Sequence, residues 1–143
     1  MVKRLSQSII VIALLISGCD VGISDRNLVF VTPQDAITLL VEGKSELVGP
    51  AMPTVLVDPR PSWRYKKGHI PSAVNIPFGQ IHLQMWRFDG VGIIIVAGDT
   101  YNDPAAIGLS KELIKQGYKD VRTLRGGLVG WEQAGEPISI VAQ

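Results

Sequence analysis

Apolar residues fall along this chain in short runs, separated by polar stretches that carry most of the glycines and prolines. The first run covers residues 9–16, and the next, 28–31 (Leu-Val-Phe-Val), has the length and composition of a buried strand. Thr32-Pro33 then opens a helix, with Thr32 as N-cap and Pro33 at the first helical position. Ala36, Leu39, Leu40 and Val41 share one face of it, and Gly43 ends it. Residues 44–53, with Gly49, Pro50 and Pro53, read as a loop. Residues 54–57 form a second buried strand ending at Asp58, and 73–77 a third, short one. The spacing over 78–87 predicts a helix with Ile81, Met85 and Trp86 on one side. Residues 92–97 (Gly-Ile-Ile-Ile-Val-Ala) are the most apolar run beyond the N-terminal one and belong in the centre of a sheet covered on both faces. A loop from Gly98 to Asn102 leads to the N-cap pair Asp103-Pro104. The helix that follows, to about Gln116, buries Ile107, Leu109, Leu113 and Ile114, with Gly117 at its C-terminus. Residues 121–124 are a last strand, and Gly126-Gly127 turn into a short helix holding Trp131. Strands alternating with helices predict an α/β fold of about five mainly parallel strands with helices on both faces. Sites in such sheets form beyond the carboxyl ends of the strands, which directs attention to the loop after Val96.

The N-terminal run is too short to span a bilayer as a helix, which takes about 20 residues. It fits the apolar core of a secretory signal, preceded by Lys3 and Arg4. Ile16-Ser17-Gly18-Cys19 closes it with small residues before a cysteine. This resembles the bacterial lipobox. The resemblance implies that residues 1–18 are a lipoprotein signal peptide, cut before Cys19, and that Cys19 carries the acyl chains. Two or more chains give stable anchoring where one does not. Residues 19–27 then read as lipidated N-terminus and tether, and 28–143 as one domain. Asp20 resembles an inner-membrane retention signal. The expected location is the bacterial cell envelope, lipid-anchored and facing the periplasm, with the membrane as one partner through Cys19.

From Cys19 onward there are 125 residues, enough for one domain and too few for two. The whole chain has 14 basic and 13 acidic residues; losing Lys3 and Arg4 leaves 12 against 13, a net of −1. That balance points to no nucleic acid and no polybasic membrane patch. Cys19 is the chain's one cysteine, so a mature domain would hold no disulfide and would be stabilised by packing.

Three stretches carry a second resemblance. Val55-Leu56-Val57-Asp58-Pro59-Arg60 is followed by Trp63, Tyr65, Gly68-His69-Ile70-Pro71, Ala73 and Asn75-Ile76-Pro77. The third stretch comprises Gly117-Tyr118, Val121, Leu124, Arg125-Gly126-Gly127, Trp131, Ala134-Gly135 and Pro137. Over residues 30–140 this resembles the rhodanese-like domain family. The resemblance implies a sulfurtransferase-related fold and, at its site, a network of Asp58 and Arg60, with His69 bracing the loop before the third strand. His82 has no partner pattern and reads as surface; Trp131 reads as a core anchor.

Active rhodaneses end the central strand in a cysteine, whose thiolate is cradled by backbone N–H groups and a helix N-terminus. Here that position falls on Ala97 or Gly98, and neither can carry sulfur. The corresponding loop is Ala97, Gly98, Asp99, Thr100, Tyr101, Asn102 and Asp103. Where active members often place Arg or Lys, it carries Asp99 and Asp103, and an anion about 5 Å from one carboxylate would meet roughly 3 kcal/mol of repulsion at an effective dielectric near 20. Thr100 and Tyr101 have no evident base in the loop to activate them. Oxygen ligands from Asp99, Asn102 and Asp103 make a small set for a hard cation, without a bidentate Glu; capping and solvation account for them, and no metal or other cofactor is expected. The sequence thus reads as a rhodanese-like module without its nucleophile, binding or scaffolding a protein of a periplasmic redox or sulfur-handling system. The alternative is a sulfurtransferase whose cysteine comes from a partner protein.

Overall fold

A computed structural model describes residues 22–43 and 52–141. Cys19, the segment expected to be a signal peptide, and most of the loop over 44–53 lie outside the described residues. Five strands, β1 (Val29–Val31), β2 (Thr54–Asp58), β3 (Val74–Asn75), β4 (Ile93–Val96) and β5 (Val121–Leu124), form one sheet in the order β1-β5-β4-β2-β3, every neighbouring pair parallel. β4 is central, and all four of its residues are buried, as its unbroken apolar run demands.

The helices are α1 (Pro33–Glu42), α2 (Ser62–Lys67), α3 (Pro104–Lys115) and α4 (Gly127–Gln133). They divide between the two sheet faces. On one face Ile93, Ile95 and Ala97 pack with Leu56, Ala36 of α1 and Trp131 of α4, and Tyr65 of α2 leans on the same cluster. On the other, Ile94 and Val96 pack with Val57, Ala106, Leu109 and Leu113 of α3, and Ile81 and Phe88. A buried hydroxyl pair, Ser110 Oγ to Thr123 Oγ1 at 2.8 Å, ties α3 to β5.

Local chemistry explains the ends. The Thr32 hydroxyl accepts the Asp35 N–H while the Asp35 carboxylate accepts back from Thr32, a capping box that holds the Asp35 carboxyl below the usual carboxylate range. Gln116 caps the C-terminus of α3, and Gly117 just beyond it takes φ of +95°.

The structure corrects the sequence reading at four places. β1 is an edge strand, so Val29 and Phe30 are exposed and only Val31 enters the core. Val41, expected on the inner face of α1, is 80% exposed. Residues 78–87 do not form one α-helix. They form two 3-10 stretches, Phe78–Leu83 and Met85–Phe88, broken at Gln84. With three residues per turn rather than 3.6, Ile81 and Phe88 face the core while Trp86 swings out, 65% exposed. Aromatic, β-branched and glycine residues in this stretch give an α-helix little intrinsic support. Finally, α2 adds a helix that the pattern does not announce, because its six residues are too few to show a helical period.

Candidate functional site

The carboxyl ends of β2 and β4 meet the amino end of α3 and the first turn of α4. Asp58, the last residue of β2, and Arg60 are both buried. The Arg60 backbone N–H donates to Asp58 Oδ1 at 2.9 Å, its Nε to both carboxylate oxygens at 3.0 Å, and Nη2 to Oδ2 at 2.6 Å. Nη2 also donates to the Gly68 carbonyl at 2.7 Å, and Nη1 to Asp99 Oδ1 at 3.0 Å. Burial pulls the guanidinium's pKa down, but hydrogen bonds and charge from Asp58 and Asp99 outweigh it and leave the pKa above its already high ordinary value. Arg60 is a permanent cation, satisfied on all sides.

Asp99 accepts a second guanidinium: Arg64 Nη1 donates to Oδ2 at 2.7 Å. This revises the expected electrostatics. The loop itself holds acidic residues, but α2 swings Arg64 and Lys67 over it, and the open cleft of about 310 Å³ there is lined by Arg60, Arg64, Lys67, Asp99 and Glu132. Three cations face two carboxylates there, so the repulsion calculated for an isolated Asp99 does not apply to this cleft.

Ala97 and Gly98 have different surroundings. Ala97 is 1% exposed, with its methyl in the core cluster that holds Trp131. Gly98 faces the other way. A β-carbon added there would lie 2.6 Å from Asp103 Cγ and 2.9 Å from the Ala106 methyl. The Asp103 carboxylate fills that space, with Oδ1 accepting the N–H groups of Ala105 at 2.8 Å and Ala106 at 3.1 Å, and Oδ2 accepting the Asp99 N–H at 2.9 Å. Three backbone donors, two from the first turn of α3 and one from the loop, thus converge on an anion supplied by the chain itself.

The loop is pinned from above by α4. Leu128 and Val129 N–H groups donate to the Gly98 and Asp99 carbonyls at 2.9 and 3.0 Å. This contact explains Gly126-Gly127: both have positive φ, and a β-carbon on Gly127 would sit 2.5 Å from the Gly98 oxygen. Tyr101 is half exposed and lies against Gly126, its hydroxyl 3.4 Å from Gln133 Oε1, while the Thr100 hydroxyl donates to the Tyr101 carbonyl at 3.4 Å. Neither hydroxyl meets a carboxylate or imidazole among the described residues. Asn102 takes φ of +57°, which its short amide tolerates.

His69 is buried, and its hydrogen bonds go to Tyr65 and Ser139. Its ring stacks on Tyr65 with centroids 3.8 Å apart, Nδ1 lies 2.9 Å from the Tyr65 carbonyl, and its backbone pairs in both directions with Ser139. The Tyr65 hydroxyl donates to the Ala73 carbonyl at 2.7 Å. Trp131 is buried, and its indole N–H donates to the Pro137 carbonyl at 2.8 Å. His82 is exposed, 3.7 Å from Glu112. The sequence reading missed Arg64 and Lys67; charged side chains on the segment between Asp58-Pro59-Arg60 and Gly68-His69 were the signal for them.

Comparison with known proteins gives a consistent picture. Thiosulfate sulfurtransferase GlpE from Pseudoalteromonas translucida is 33% identical over 81 residues, 56% of this chain and 74% of that protein. An HTH-type transcriptional regulator from Mycobacterium tuberculosis is 30% identical over 112 residues, 75% of this chain, and the chain spans under half (46%) of that protein's length. Among solved structures, thiosulfate sulfurtransferase from Pseudomonas aeruginosa superposes with a TM-score of 0.66 at 21% identity, over 82% of this chain and 21% of that one, a likeness of fold. Residues 40–134 match the rhodanese-like domain, and the chain belongs to that family.

Proposed function

We propose that this protein is a lipid-anchored, envelope-facing rhodanese-like module that performs no sulfur transfer of its own and serves as a binding or scaffolding partner in a periplasmic redox or sulfur-handling system. The observation that carries this reading is the Asp103 carboxylate. Sulfur transfer needs a thiolate that attacks and holds the sulfane sulfur, stabilised by converging N–H groups. Here the chain's one cysteine is Cys19, far from the site in sequence and placed for acylation. The donors at the loop and the start of α3 are already satisfied by Asp103. The same fact weighs against a partner that supplies the missing cysteine, because an incoming thiolate would find those three donors taken. What stays open is the mixed-charge cleft of Arg60, Arg64, Lys67, Asp99 and Glu132, a surface suited to a protein group carrying both charges.

The test is direct. The purified protein is expected to show no thiosulfate:cyanide sulfurtransferase turnover above the uncatalysed rate, alone or with added thiols. In cells grown with a palmitate analogue, the label is expected on the protein and lost in Cys19→Ser. Turnover by the unmutated protein sinks the non-enzymatic reading, and normal membrane retention of unlabelled Cys19→Ser sinks the anchor.

A further inference from the structure

The layer that covers one face of the sheet has three parts side by side: the 3-10 turn Asp25–Asn27, helix α3, and the two 3-10 stretches Phe78–Leu83 and Met85–Phe88. The turn is held to α3 by Lys111 Nζ on Asp25 Oδ1 at 2.5 Å, and the far side of α3 meets His82 through Glu112 at 3.7 Å. On the outside of this layer stand two large apolar side chains, Leu83 at 80% exposure and Trp86 at 65%, with the Arg87 guanidinium 5.2 Å from the Trp86 ring centre. Nothing in the core needs them there; Ile81 and Phe88 already fill the inner side.

Cys19 lies six residues before Asp25, and a fully extended chain of that length reaches about 20 Å. An acyl anchor at Cys19 therefore holds the bilayer within about 20 Å of Asp25, at one edge of this layer. An exposed indole beside a guanidinium, with an aliphatic neighbour, matches the headgroup zone, where amphipathic aromatic rings and basic side chains collect. We propose that this face rests on the membrane surface, with Leu83 and Trp86 set into the headgroup boundary of an anionic bilayer and Arg87 among its phosphates. The proposal rests on the lipid-anchor reading of Cys19. It fixes an orientation: the strands lie along the membrane plane, and the Arg60–Arg64–Lys67 cleft at their carboxyl ends opens sideways to partners. It also makes a choice, because the other exposed tryptophan, Trp63, sits between Arg64 and Lys67 on α2, and α2 packs on the opposite sheet face.

The test uses full-length protein purified from membranes and reconstituted into phosphatidylglycerol–phosphatidylethanolamine vesicles with bromine-labelled acyl chains as quenchers. Trp63→Phe leaves Trp86 as the exposed reporter, Trp86→Phe leaves Trp63, and buried Trp131 is a background common to both. Trp63→Phe is expected to show blue-shifted emission that the bromolipid quenches, at a depth of about 5–10 Å into the boundary. Trp86→Phe is expected to lose most of that quenching. Intact mass on the same samples reports acylation. Acylated protein with no Trp86 quenching, or with equal or stronger quenching of Trp63, overturns the orientation and leaves the anchor standing. Protein without acyl chains overturns both. A blue shift of Trp86 that depends on protein concentration and not on vesicles assigns the face to a second copy and overturns the membrane proposal.

Discussion

The Asp103 carboxylate accepts three backbone N–H groups from a point that a side chain at Gly98 would also claim. Its removal has two opposite effects. Asp103→Ala loses the α3 cap and is expected to lower stability by about 1–2 kcal/mol in chemical denaturation, while it frees the donors. Arg60 is different in kind. Arg60→Met strands the buried Asp58 carboxylate and is expected to cost about 3–5 kcal/mol, read by the same measurement; a loss below about 1 kcal/mol would show that Asp58 finds water or another donor. Both Asp103 and the Asp58–Arg60 pair were legible in the sequence because these partners lie within four residues of one another. The Arg64–Asp99 pair spans 35 positions and was not legible. That omission made the loop look uniformly acidic, and it changes one expectation: Asp99→Arg would face Arg60 and Arg64 with a third cation, so it should destabilise the cleft instead of readying it for an anion.

At the scale of elements, close approach and pairing decide more than propensity. α4 can press its first turn onto the Gly98 and Asp99 carbonyls only because residue 127 is glycine with positive φ. Gly127→Ala adds a left-handed backbone penalty to a clash with backbone atoms, and is expected to cost at least about 2 kcal/mol. α2 offers a test with pH. Burial, then the charge of Asp58, raises the Tyr65 hydroxyl pKa above its ordinary value. A raised phenol pKa means the folded state favours the protonated form, so this stability is complete below about pH 10 and is lost as pH rises through the folded value. Denaturation midpoints should fall above about pH 10, and Tyr65→Phe should flatten that fall while losing the bond to Ala73 at every pH. A Tyr65→Phe profile that falls as steeply as the parent's would assign the alkaline loss elsewhere, Tyr118 being the other tyrosine with a raised value. The strands and the long helix α3 were legible because apolar runs and a Pro-headed cap mark them without tertiary help. The 78–88 region was not, because a 3-10 path and an α path place the same apolar residues on different sides. Burial of β1 was misjudged because sequence does not say which strand takes the edge.

For the whole molecule, the parallel sheet puts every strand's carboxyl end on one side, and that alone located the loop after Val96 before any contact was known. The pattern left one residue of doubt between Ala97 and Gly98. The two differ in their surroundings: Ala97 turns into the core with Trp131, and Gly98 turns toward the donors that Asp103 occupies. The family scaffold thus surrounds a loop whose three converging N–H groups are taken by a carboxylate, and the proposal is that this carboxylate, with no cysteine at position 97 or 98, keeps the domain from taking up sulfur. The most direct measurement is the intact mass of Gly98→Cys and of Gly98→Cys with Asp103→Gly, which clears both the Asp103 Cγ at 2.6 Å and its Cβ at 2.7 Å, each carrying Cys19→Ser, after incubation with thiosulfate. The expected result is a gain of one sulfur atom, reversible by cyanide, for the double-site variant and none for Gly98→Cys alone. Equal sulfur loading of the two would contradict it, and so would loading at Ala97→Cys with Asp103 intact.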